Sequence, residues 1–304
     1  MNGNKTILFG GSGFLGPIIL EKYPEIISVG RQAPPSYIKN RHIPLSDLNN
    51  LSVLDEVDFD TVIFLIGNSN HHEINRHPTM GLEYNVWPLK QALHYFKNRR
   101  LKKFICFTTI LLYDVTQLTF PVNESLPTNP YLNDYVFSKH LSEEVMKFYA
   151  PEVPGITVRF SNIYGPTKLV RPDVVPTLIQ KVLSPEPATV WNTAPVRDFL
   201  FLEDAAEALV ALLETEYTGV VNLGSGSTVS IARIAEILEE LSGKKITNLN
   251  QPVSGPLYFC CDIGKINSLT GWKPKPTIEE GLAKTFAQMQ AWAPECRWWE
   301  QPKM

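Results

Sequence analysis

"ILFGGSGFLGPII", residues 7–19, carries Gly10, Gly13 and Gly16 at three-residue steps directly behind a short apolar run. Gly11, Gly13 and Gly16 also fit a G-x-G-x-x-G spacing, and Pro17 suits a first helical turn. Glycine permits a tight turn and lets main-chain N–H groups approach a pyrophosphate at the start of a helix. The stretch therefore predicts strand, phosphate loop and helix, with Gly10, Gly13, Phe14, Leu15 and Gly16 as cofactor-binding candidates.

Outward from this loop the same alternation continues. "IISVG" (26–30), "TVIFLIG" (61–67), "KKFICFTT" (102–109) and "ITVRFSN" (156–162) are short runs rich in Ile, Val, Phe and Thr. Between them lie stretches of helical period, "NVWPLKQALHYFKNRR" (85–100) and "YVFSKHLSEEVMKFYA" (135–150). Apolar strands without polar alternation, separated by helices, predict a parallel sheet covered on both faces: a Rossmann-type, doubly wound α/β domain. After about residue 166 the chain turns proline-rich and irregular, and beyond Gly226 it is mainly helical. The expected division is a dinucleotide-binding domain (1–165 plus 196–222) and a smaller, mainly helical substrate lobe (166–195 plus 223–304).

With 304 residues and 44% hydrophobic content the chain has ample material for a large core. Its 28 basic and 31 acidic side chains nearly cancel, which points away from nucleic acid and from anionic membrane surfaces. No apolar run reaches the length of a bilayer span, and "MNGNKTILFGG" leaves no room for a signal peptide. Cys106, Cys260, Cys261 and Cys296 lack metal-ligand spacing and read as reduced thiols. A cytoplasmic protein without a structural metal is the expectation.

An acidic residue about twenty positions beyond the glycine loop commonly holds the adenosine ribose of NAD. Here "SVGRQ" (28–32) offers Arg31 instead, a cation suited to a 2′-phosphate, which favours NADP(H) over NAD(H). "CFTTILLYD" (106–114) ends a strand in Thr108 and Thr109, at the sheet edge where ligands collect. In "NDYVFSKHLSEE" (133–144), Tyr135 and Lys139 stand one helical turn apart. These groups suit hydride transfer, with Tyr135 exchanging a proton with a carbinol or carbonyl and Thr109 holding the substrate oxygen. A phenol titrating near ~10 needs about 4 kcal/mol of bias to serve near neutral pH, which a cation ~4 Å away supplies at an effective dielectric of ~20. Lys139 is assigned that task.

In order along the chain stand "GGSGFLG", "SDL", "HPTMGLEYNVWPLKQAL", "FTTILLY", "YVFSK", "RFSNIYGP", "RDFLFLEDAAEA", "NLGSG" and "TGWKPKPTIEEGLAKT". With these signposts the chain resembles the extended short-chain dehydrogenase/reductases, in the branch of NAD-dependent epimerases and dehydratases acting on nucleotide sugars. The resemblance implies that Asp47 and Leu48 surround the adenine and that Leu65 to Gly67 run along the cofactor. It puts Asn85 and Thr108 at the sheet's active edge, and gives Lys139 a contact with the nicotinamide ribose. It implies further that Asn162 contacts substrate phosphate or sugar and that Arg197 grips a nucleotide diphosphate, for which a guanidinium fork is suited. Homodimerisation through two helices per subunit is also implied.

Departures narrow the reaction. Ile110 and Leu111 stand where dehydratases of the family carry Asp and Glu, and where fucose-forming epimerase-reductases carry a cysteine. The glutamate of the decarboxylating branch is absent too. There remains hydride chemistry at one carbon, C4, by a 4-ketoreductase or a 4-epimerase. "QPVSGPLYFCCDIGK" (251–265) has no arginine before Asp262 and Lys265, so one phosphate contact of the family is missing or rebuilt. Two alternatives stay open: a reductase of a carbonyl compound that is not a nucleotide sugar, and a protein that senses NADP(H) without turnover. His71 and His72, adjacent in "NSNHHEINRHP" (68–78), cannot share a helix face and read as a loop near the substrate mouth. The Trp-rich end is expected to cap the small lobe or reach a neighbour.

Overall fold

The protein is described from a computed structural model covering residues 5–114, 120–169, 171–253, 255–296 and 298. Its strands are β1 (Thr6–Phe9), β2 (Ile27–Gly30), β3 (His42–Pro44), β4 (Thr61–Phe64), β5 (Lys103–Thr109), β6 (Gly155–Phe160), β7 (Asn162–Tyr164), β8 (Ala188–Val190), β9 (Val196–Arg197), β10 (Phe199–Phe201), β11 (Gly219–Leu223), β12 (Val229–Ser230) and β13 (Ile246–Asn248). The helices are α1 (Gly16–Lys22), α2 (His71–Arg76), α3 (Thr79–Gly81), α4 (Trp87–Phe96), α5 (Asp134–Tyr149), α6 (Val174–Leu183), α7 (Leu202–Leu213), α8 (Ile231–Ser242), α9 (Gly264–Thr270) and α10 (Ile278–Cys296).

Seven strands form one parallel sheet in the order β11-β6-β5-β4-β1-β2-β3, the doubly wound arrangement. Successive side chains of a strand point to opposite faces. Ile7 and Phe9 of β1 accordingly meet Leu89, Leu93 and Phe96 of α4 on one side, whereas Leu8 packs with Ile19 and Leu20 of α1 and Leu209 of α7 on the other. Both faces are covered, which is why these strands are mainly apolar. β3 is short, carries Pro44 and was not foreseen in the sequence; it is an edge strand, held by its register with β2, where a proline is tolerated.

A third apolar cluster joins α6, α8 and α10 with β8 and β10. The proline-rich stretch expected to be irregular contains the ten-residue helix α6, with Pro176 in its first turn where no intrahelical N–H bond is lost. Phe199 and Phe201 belong to this cluster, while Ile266 and Trp272 pack into the core beneath the main sheet. Trp298 is buried against the third cluster and donates its indole N–H to the Lys168 carbonyl at 3.1 Å. The described part of the Trp-rich end thus caps that cluster, and Trp299 lies outside the described residues. Among the described residues no helix is long and apolar enough to cross a membrane.

Candidate active site

Glycine is demanded at two points of the first turn. Gly10 has φ +90°, the left-handed region, and a Cβ on Gly16 would fall 2.3 Å from the Gly10 carbonyl oxygen. The turn is therefore pressed against the start of α1. Gly10, Gly13, Phe14, Leu15, Gly16, Leu65 and Gly67 line one side of a cleft of about 270 Å³, and Thr108, Thr109 and Tyr135 line another. A glycine cradle leading to hydroxyl groups at the carboxyl ends of strands fits a dinucleotide.

The cleft floor is built on α5. Asn133 caps this helix, its side chain accepting from Val136 N–H at 3.0 Å. Tyr135 follows in the first turn, 6% exposed, packed with Ile74, Leu112 and Val136. Thr109 closes β5; its Oγ1 accepts from Leu111 N–H at 3.2 Å, and the hydroxyl also hydrogen-bonds the Tyr135 phenol. Lys139 is 2% exposed and does not line the cleft among the described residues. It stands behind Gly67 and Phe107, its Nζ 3.2 Å from Asn85 Oδ1 and 4.4 Å from the Phe107 ring centre. Asn85 lies in a π-helical turn, Leu82–Val86, and donates from Nδ2 to Ser138 Oγ at 3.0 Å while its Oδ1 accepts from Asn68 N–H. Such a bulge commonly marks a functional position, and here it turns an asparagine inward onto the lysine.

Burial dominates the electrostatics of the pair. Lys139 Nζ is 5.9 Å from the Tyr135 ring centre. Burial pushes Tyr135 up to about 12, opposed by the Thr109 hydrogen bond. Burial likewise pulls Lys139 down to about 7, because a desolvated ammonium is disfavoured. Burial thus favours the protonated form of Tyr135 and the neutral form of Lys139.

That depressed lysine has a stability consequence. Its folded-state value lies below its unfolded one, so the cost of burying the charge is present in full at acidic pH and declines between about 7 and 10.5. Lys139→Met is expected to raise the melting temperature most near pH ~6 and least near pH ~10. Melts at both pH values check this; an equal gain at both removes the burial account.

A buried ion pair between Glu143 of α5 and Arg159 of β6, not foreseen in the sequence, also anchors Thr108. Glu143 accepts from Thr108 Oγ1 at 2.8 Å and from Arg159 Nε and Nη2 at 2.8 and 2.7 Å. The Thr108 hydroxyl is thus committed to Glu143, leaving its main chain to face the cleft. One signal was legible: Arg159 is a lone charge in an otherwise apolar strand, and such residues are buried only with a partner.

The far wall comes from the segment before α6. The Arg171 guanidinium sits 3.9 Å from the Phe14 ring centre and pairs with Asp173 at 2.6 Å. Asn162 lines the same wall and donates Nδ2 to the Asp198 carbonyl at 2.9 Å. Arg197 faces the cleft half-buried, and burial lowers its pKa. Asp198 is fully buried and occupied with Ser225, Gly226 and Cys261, and Asp204 accepts from Lys275 N–H. Neither neighbouring carboxylate neutralises the Arg197 guanidinium, which leaves it available to an anion. Arg31 follows β2 and is exposed; Asp47 is exposed beyond β3, and Leu48 borders a separate hollow beside Trp87. These three do not line the cleft.

His71 and His72 are not in a loop as expected. They open α2, whose Asn70 cap and Asn75 bond to Tyr135 N–H tie it to the start of α5. A larger hollow of about 890 Å³, bounded by Trp191, Thr189 and Pro252, adjoins the cleft, and His71, Asn162, Asp173 and Arg197 line both. Among the described residues no group of three or more His, Cys, Asp or Glu could hold a metal ion.

Residues 6–224 match the family described as NAD-dependent epimerase/dehydratase. The chain belongs to that family. A relative, the UDP-glucuronate 4-epimerase of Thermodesulfobacterium geofontis, is 28% identical over 252 residues, covering 79% of this chain and 76% of the relative. A probable GDP-L-fucose synthase 1 from Oryza sativa subsp. japonica is 36% identical over 146 residues, 43% of this chain and 44% of the relative. The chain's fold is that of the Thermotoga maritima UDP-glucose 4-epimerase, with a TM-score of 0.85 at 22% identity, covering 94% of this chain and 98% of that one. This member of the epimerase/dehydratase family is an enzyme of the nicotinamide-dependent oxidoreductase and epimerase type, and its cofactor is a nicotinamide dinucleotide.

Proposed function

We propose that the protein transfers hydride at C4 of a nucleotide-activated sugar, with the dinucleotide on residues 1–165 and 196–222 and the substrate on 166–195 and 223–304. The observation carrying this reading is the buried Tyr135 phenol, bonded to Thr109, in a cleft whose Arg197 guanidinium is not neutralised by its neighbouring carboxylates. The bound nicotinamide supplies or accepts the hydride. Tyr135 gives a proton to the sugar oxygen or takes it back, and Thr109 holds that oxygen in place. Lys139, Asn85 and Thr108 border the cofactor from the sheet side, Asn162 contacts sugar or phosphate, and Arg197 binds the diphosphate.

Two directions are separable. Ketoreduction is favoured by Arg31, directly after β2, a cation suited to the 2′-phosphate of NADPH. Epimerisation is favoured by the 4-epimerase among the relatives. Mass analysis of small molecules released on denaturation tests the choice: retained NAD marks an epimerase, an NADP-bearing or empty preparation a reductase. A thermal-shift panel of UDP-, dTDP-, GDP- and CDP-sugars tests the substrate class, and no stabilisation by any of them rejects it. A cytoplasmic homodimer completes the reading, supported by exposed Trp87, Phe137 and Phe148 on α4 and α5 and checked by sedimentation.

Arg197→Ala is expected to raise KM for the nucleotide sugar about 10- to 100-fold with a smaller change in kcat, since diphosphate binding is common to ground and transition states. Steady-state kinetics check it; an unchanged KM removes Arg197 from the substrate site. Arg31→Ala is the companion, expected to weaken NADPH by about tenfold and to spare NADH.

A further inference from the structure

Tyr135 has little direct access to water, yet ketoreduction consumes one proton at this phenol in every turnover. Three rings lead from it to solvent. Tyr135 is 6% exposed, His71 is half-buried with its ring centre 6.2 Å away, and His72 is exposed with its ring centre 4.0 Å from that of His71. The alignment is held in place, because Asn75 Oδ1 on α2 accepts from Tyr135 N–H at 3.0 Å and Ile74 packs beside Tyr135. His71 also stands at the junction of the cleft and the outer hollow.

We propose that His71 and His72 form the path by which Tyr135 is reprotonated from solvent. The proposal rests on the hydride-transfer reading and commits it to net ketoreduction. With NAD(P)H as reductant, hydride adds to the carbonyl carbon while the Tyr135 O–H bond breaks and its proton forms the new hydroxyl. The phenolate then takes a proton from His71, through a water where the gap requires one. His71 is recharged by His72 or by water, so one solvent proton is consumed per hydride. A neutral imidazole donates at one nitrogen and accepts at the other, which is what such a relay needs. Burial and His72 lower the pKa of His71, and Asp173 opposes them. Among the described residues, the charged and titratable groups facing it are His72 on α2, Tyr135 on α5 and Asp173 before α6, the last paired with Arg171.

The test uses the full-length enzyme with NADPH or NADH and a 4-keto nucleotide sugar. His71→Phe keeps the ring volume and removes both nitrogens; it is expected to lower kcat for net reduction about tenfold or more with KM little changed, and to enlarge the solvent isotope effect on kcat. Added imidazole is expected to restore part of the rate of His71→Ala, which separates a lost relay from a damaged fold. In the cofactor-free protein, the Tyr135 hydroxyl proton, assigned against Tyr135→Phe, is expected to exchange with water at least about tenfold more slowly in His71→Phe. The path is overturned by wild-type kcat and isotope effect in His71→Phe, by a rise in KM alone, by unchanged hydroxyl exchange, or by a wild type that interconverts 4-epimers without consuming NAD(P)H. A wild type inert towards every nucleotide sugar instead sinks the underlying functional reading.

Discussion

Tyr135→Phe is expected to reduce kcat by about 10²- to 10⁴-fold, the range a positioned proton donor contributes, while the dissociation constant for the dinucleotide stays within about twofold of wild type. The hydroxyl is the only atom lost, so the packing with Ile74, Leu112 and Val136 survives. Dinucleotide affinity is expected to depend on the glycine turn, which the substitution leaves untouched. Burial favours the protonated phenol, so the wild-type enzyme is expected to keep its reductive activity well above neutral pH and lose it as Tyr135 ionises towards about 12. The opposite, oxidative direction is expected to be slow until a bound partner stabilises the phenolate. Single-turnover rates with cofactor titrations check both statements. Near wild-type turnover in Tyr135→Phe removes this residue from proton transfer.

Glu143→Ala is expected to cost about 3–5 kcal/mol of stability and to lower the melting temperature by about 10 °C. The reason is what remains behind. Glu143 is 3% exposed and takes three hydrogen bonds, two of them from Arg159, itself 6% exposed. Removing the carboxylate leaves a buried guanidinium without its counter-charge, although the Tyr113 ring 4.8 Å away stays in place. The double variant Glu143→Met/Arg159→Met is expected to melt above either single one, because no unpaired charge then stays buried. Activity is expected to fall with the carboxylate, since Thr108 loses its anchor and Thr109 follows it in the chain. Calorimetry on the three variants decides the matter: additive losses would mean that the pair is not coupled.

The glycine turn was legible because its requirement is local. Gly10 adopts a backbone angle that other residues avoid, and Gly10, Gly13 and Gly16 follow one another at three-residue steps. The strands were legible because a sheet covered on both faces demands mainly apolar runs without polar alternation. β3 was not, since His42, Ile43 and Pro44 carry no strand signal and pair only because β2 offers an edge. Helix α6 was hidden by Pro176 and the prolines flanking it, and α2 by two adjacent histidines that suggest a loop. The Tyr135–Lys139 spacing was legible as one turn of helix, whereas the hydrogen-bond partner of Lys139 was not. One turn brings two side chains near each other without saying which way each points, and Lys139 points to Asn85.

By itself the sequence determined the doubly wound sheet, the family and the residue types gathered at its carboxyl edge, because period, glycine spacing and apolar runs act over a few neighbouring residues. Only the tertiary structure decided the burial of Tyr135, the partner of Lys139, the pairing of Glu143 with Arg159 and the commitment of Asp198 and Asp204, near Arg197 in the chain, to other partners. Those properties depend on desolvation and on groups far apart in the chain. Neither can be counted along a sequence.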